Sequence, residues 1–121
     1  MTLHYLEFDY SEDADGHGSF DAMASAGPAQ LAALESEVMQ VLAWAHRGPA
    51  RRGPLDEGGE WDYELQGVQE VATTLDVAYD PPASRLAIEP GPTGAPRVTL
   101  SLTISGTPQF CEAFRAEFGF D

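Results

Sequence analysis

Two hydrophobic rhythms run along this chain, one of period two and one near 3.6, and their order predicts its elements. Residues 2–10 (TLHYLEFDY) set Leu6, Phe8 and Tyr10 against Glu7 and Asp9, the alternation of a half-buried strand. Residues 11–19 (SEDADGHGS) are small, acidic and glycine-rich and read as a loop or extended hairpin turn. Phe20 to Ser25 returns as a short second strand.

The period then changes. Pro28 follows Gly27 and opens a helix over 28–46, since its φ is already set and it lacks an N–H that would go unpaired. Leu31, Leu34, Val38, Val41, Leu42 and Ala45 make one apolar stripe, with Glu35, Glu37 and Gln40 away from its centre. His46 and Arg47 lie where the last carbonyls favour positive charge, and Gly48-Pro49 stops the helix.

Residues 48–60 form a long loop, and period two resumes beyond it. Trp61, Tyr63 and Leu65 alternate with Asp62, Glu64 and Gln66. Val71 to Tyr79 reads as another strand with Leu75, Val77 and Tyr79 inward, ended by Asp80-Pro81-Pro82. Arg85 to Glu89 is a short strand, and 90–96 is a turn-rich connection. Arg97 to Ser105 puts Val98, Leu100, Leu102 and Ile104 on one face. Thr107-Pro108 caps and opens a second helix over 108–118, with Phe110, Cys111, Phe114 and Phe118 on one side and Gly119 as its stop. Each helix has one apolar stripe and each strand one apolar face. The expected fold is therefore a two-layer α+β domain spanning 1–121: a mostly antiparallel sheet of four or five strands with both helices packed on one face.

Charge changes what this domain can meet. Twenty Asp and Glu against six Arg and no Lys give a formal net charge of −14, which repels nucleic acid and anionic membrane surfaces and attracts basic proteins or cations. The first 46 residues contain eight acids and no Arg, and the next six hold Arg47, Arg51 and Arg52. Without lysine there is no Schiff-base chemistry and no phosphate-cradling lysine loop. The single cysteine, Cys111, excludes an intrachain disulfide and a cysteine-based zinc site. No secretory signal and no apolar run of membrane-spanning length is visible, so the cytoplasm is the expected compartment.

Three constellations carry the candidate chemistry. In the loop at 11–21, Asp13, Asp15 and Gly16 match the third, fifth and sixth positions of a calcium-binding loop, whose hard oxygens and glycine turn suit that cation. Ser11 stands at the first position and Ala22 at the twelfth, where a bidentate Glu is required, so the pattern is incomplete. Asp13, Asp15 and His17 are the candidate ligands for calcium or another divalent cation; no other cofactor is indicated.

The second constellation is 55–64, where Asp56, Glu57 and Glu60 precede Asp62 and Glu64; these are binding candidates, all expected to be wet, which disfavours a general acid–base pair. The third is Arg47, Arg51 and Arg52, a fork for carboxylates within this chain or in a dimer interface. Cys111 near a helix N-terminus falls on the apolar stripe and reads as an inert buried thiol.

The expected function is thus a noncatalytic, cytoplasmic protein-binding or regulatory module for a basic partner, or one that also pairs with itself as a homodimer. The alternatives are divalent-cation binding through 11–21, and a small enzyme or ligand-binding domain with a pocket between sheet and helices.

Overall fold

The computed structural model describes residues 2–119 and has α+β architecture: six strands in two antiparallel sheets, with two helices. The strands are β1 (Asp9–Glu12), β2 (Gly18–Ala26), β3 (Trp61–Glu70), β4 (Thr73–Asp80), β5 (Arg85–Thr93) and β6 (Arg97–Gly106), and the helices are α1 (Pro28–Arg47) and α2 (Pro108–Phe118). The larger sheet has the order β1-β2-β6-β3. β4 and β5 form a separate two-stranded sheet.

Alternation sorts the larger sheet into two faces. Phe20 of β2, Ile104 of β6 and Tyr63 of β3 lie side by side, as do Ala22, Leu102 and Leu65. Phe20, Leu102, Ile104 and Trp61 are almost fully buried and share one cluster with Leu34, Val38, Val41 and Ala45 of α1 and with Phe110, Cys111, Phe114 and Phe118 of α2. Rings dominate it. Trp61 stacks on Phe110 at 5.5 Å between centroids, and Phe20 meets Phe114 at 4.6 Å. Such ring pairs add about 0.5–1.5 kcal/mol each beyond their buried area.

Both helices end as their residues dictate. α1 starts at Pro28 behind Gly27, and His46 Nδ1 lies 2.8 Å from the Leu42 carbonyl in its last turn. In α2 the Thr107 hydroxyl accepts the Phe110 N–H at 3.3 Å, and Gly119 closes the helix in the left-handed region at φ +72°.

Five sequence expectations need correction. A single sheet of four or five strands is replaced by two sheets of four and two strands, because β3 and β6 cease pairing at Glu70 and Arg97 and the hairpin beyond them makes its own ladder. Leu75, Val77 and Tyr79 are accordingly more than half exposed instead of inward.

The first strand begins only at Asp9, since the N–H groups of His4, Tyr5 and Leu6 donate to the Glu37 carboxylate and not to a neighbouring strand. Glu37 is therefore buried in α1, although its place beside the apolar stripe suggested an outward carboxylate. The loop expected at 11–19 contracts to a turn at 13–17, because Ser11 and Glu12 pair with Ser19 and Gly18.

Candidate functional site

The face of the larger sheet turned away from the aromatic cluster is polar. β6 lines it with Thr99, Ser101, Thr103 and Ser105, β2 with Ser19 and Asp21, and β3 with Asp62 and Glu64. Hydroxyls knit neighbouring strands. Thr103 Oγ1 donates to Asp21 Oδ1 at 2.6 Å, and the Ser19 and Ser105 hydroxyl oxygens lie 3.0 Å apart.

At one end of this face two turns rise on either side. The 13–17 turn is built by Asp13, whose Oδ1 accepts the Asp15 and His17 N–H groups at 2.9 Å each, while Gly16 supplies the positive φ of +83°. The facing wall is a 3-10 turn at Leu55–Glu57, closed by Gly58 in the left-handed region. Between them lies a groove of about 580 Å³, bordered by Asp13, Asp15 and His17, by Pro54, Leu55 and Asp56, and floored by Asp62, Glu64, Thr103 and Ser105.

The two acidic segments that the sequence keeps forty residues apart are thus brought to one depression. Asp13, Asp15, His17 and Asp56 reach it. Glu57 and Glu60 do not line it: the Glu60 carboxylate accepts the Arg51 N–H at 3.0 Å and faces the crevice between α1 and α2.

The arginine cluster is dispersed. Arg51 donates from its guanidinium to the Gly58 carbonyl, bracing the 3-10 turn. Arg52 pairs with Asp62 at 3.3 Å and covers the Tyr63 ring at 5.5 Å. Arg47 lies on the outer side of α1 with Ser36, Met39, Gln40 and Ala43. Asp62 and Glu64 of the acidic 55–64 segment join the floor of the groove, and so do Thr103 and Ser105, which had not stood out as site residues. Their alternation marked them as polar-face positions, but only the β3–β6 pairing reveals that they form a floor.

The groove carries five carboxylates against one paired guanidinium and one imidazole, and it is open to water. His17 Nδ1 lies 3.6 Å from Asp13 Oδ2. Among the described residues no three His, Cys, Asp or Glu side chains converge closely enough to hold a metal ion.

Cys111 is almost fully buried and donates weakly to the Gly106 carbonyl at 3.5 Å; burial pushes its thiol above the ordinary value. The crevice between the C-terminal end of α1 and the start of α2 has a volume of about 250 Å³ and is lined by Trp44, Pro49, Glu60, Thr107 and Phe110. Small-molecule sites span about 300–1,000 Å³, so this crevice falls just short. No described helix is long and apolar enough to cross a membrane.

The fold and groove define a small α+β protein with an open, acidic sheet face. No protein-family model matches the chain, and neither a curated protein nor a solved structure shows significant similarity to it.

Proposed function

We propose that this protein is a noncatalytic binding module that receives a basic segment of another protein in the groove between the 13–17 turn and the 3-10 turn. One observation carries the reading: Asp13, Asp15, Asp56, Asp62 and Glu64, drawn from three separate segments, border one depression on the open sheet face. Thr103 and Ser105 on its floor offer hydroxyls that accept from arginine or lysine as well as donate. Within a chain of net charge −14, this field steers cationic partners and speeds their association, and the advantage falls with salt.

Exposed ion pairs contribute only about 0–1 kcal/mol each, so charge in this groove governs capture and orientation more than final affinity. Titration calorimetry with an Arg- and Lys-rich peptide tests the reading. Binding should weaken between 50 and 300 mM NaCl, as the Debye length falls from about 14 Å to about 6 Å, and Asp56→Asn with Glu64→Gln should weaken it further at low salt. Salt-independent binding, or equal affinity for an acidic peptide of the same length, would remove the reading.

A further inference from the structure

From Leu75 to Tyr79 the β4–β5 hairpin has one apolar side. Its cross-strand pairs place Leu75 beside Pro90, Val77 beside Ile88 and Tyr79 beside Leu86, and residues directly opposite one another share a face. The alternate pairs, Asp76 with Glu89 and Asp80 with Arg85, put every charge of the arm on the other side. Leu75, Val77, Tyr79, Leu86 and Ile88 are between 53% and 61% exposed, and none belongs to the buried cluster. A lone two-stranded hairpin is at best marginally stable in water, and an exposed apolar strip of this kind marks a contact surface.

We infer that the apolar face of β4–β5 is a homodimer interface: the arms of two copies stack face to face as a four-stranded sandwich. Area supports a second copy. Six side chains offering about 100 Å² each give about 1,200 Å² over two arms, the lower limit of a standard stable interface.

Charge points the same way. Residues 71–96 hold three carboxylates and one arginine, and all four lie on the far side of the arm, so apposed apolar faces place no charge in the contact. A basic partner finds no carboxylate on this side of the arm, and uncharged apolar cores distinguish homodimer interfaces from transient ones.

Sedimentation velocity on the full chain at about 1–100 µM tests this, a range in which apolar contacts of this size assemble. The expected result is a concentration-dependent dimer that persists at high salt, whereas binding in the acidic groove weakens. Val77→Glu should raise the dimer dissociation constant at least about a hundredfold, as loss of a central apolar contact does. Because that variant can also unpair the arm, Val77→Thr with Ile88→Thr keeps two strand-forming residues in the ladder and should still weaken the dimer at least about tenfold.

Ala78→Glu, on the charged side, should leave the dimer intact. A wild-type chain that stays monomeric at the highest concentration overturns the proposal and leaves the strip to a different partner. A dimer indifferent to both Val77 variants overturns it as well, since the contact then lies elsewhere.

Discussion

Glu37 offers the sharpest test of how this fold is held. It lies on α1 between the core residues Leu34 and Val41, is only 6% exposed, and its two oxygens accept three backbone N–H groups: His4 at 2.8 Å, Tyr5 at 3.0 Å and Leu6 at 2.7 Å. These bonds fix the segment that delivers Leu6 to the core and leads into β1.

A hydrogen bond to a charged group contributes about 1.5–3 kcal/mol, but His4 is exposed and Tyr5 half-buried, so water replaces part of what those two supply. Glu37→Ala should therefore cost about 3–5 kcal/mol, a large share of the roughly 5–15 kcal/mol that stabilises a small domain. Glu37→Gln keeps an oxygen where Oε1 serves Tyr5 and Leu6 but turns an NH₂ toward the His4 N–H, and should cost about 1–2 kcal/mol.

Urea unfolding followed by far-ultraviolet dichroism gives both values, and amide exchange gives the location. The amides of residues 4–6 should lose protection in both variants, ahead of those in β2 and β6. Unchanged protection at 4–6 alongside a loss of global stability would mean that Glu37 acts through packing alone, and the latch would be refuted.

The remaining predictions concern close approach, titration and the groove wall. A Cβ at Gly59 would lie 2.0 Å from the Gly53 carbonyl oxygen, a backbone atom that cannot swing aside, so Gly59→Ala should lower stability by at least about 2 kcal/mol in thermal unfolding. With the Cys111 thiol raised by burial, the folded chain retains a proton that the unfolded chain has already lost in alkali. That stability is complete below the ordinary thiol range and falls as pH rises through it, from about pH 8.5 upward. Relative to Cys111→Ala, the wild-type urea midpoint should drop there, and native Cys111 should react with a thiol reagent no faster than the chain unfolds. Asp13→Ala removes the acceptor of two turn amides and should cost about 1 kcal/mol, with exchange quickening at Asp15 and His17 but not at Asp56.

Periodicity carried the sequence a long way because most elements bury only one side. α1 and α2 begin at Pro28 and Pro108, where a proline preceded by a capping residue announced them, and the alternation of 97–105 maps onto β6. The failures share a cause. Alternation shows that Leu75, Val77 and Tyr79 share a face; it does not show whether anything covers that face, and here the hairpin runs past the end of the β3–β6 ladder.

Glu37 was misplaced for a related reason: a carboxylate at a stripe's margin is outward unless backbone donors from elsewhere reach it, and those donors are more than thirty residues away. In the same way Asp13 and Asp56 were visible as acidic loops, but their shared groove depends on β2 and β3 both pairing with β6.

The groove and the arm have opposite expected responses to salt, and that contrast links them. Binding in the groove, which gathers carboxylates, should weaken with salt; pairing through the uncharged face of the arm should not. Were the arms to pair, each assembly would carry two acidic grooves on separate sheets. A partner with two basic segments could then engage both, gaining about 10²–10⁴ in avidity only if its spacing matched theirs. An arm variant such as Val77→Thr with Ile88→Thr leaves the residues of each groove in place, so it should abolish that gain while preserving affinity for a single basic peptide. The converse variant, Asp56→Asn with Glu64→Gln, should weaken every groove contact and leave the dimer unchanged. Observing both halves of this dissociation would require two independent surfaces on one small chain; a single variant that impaired both would mean that the arm and the groove are one site.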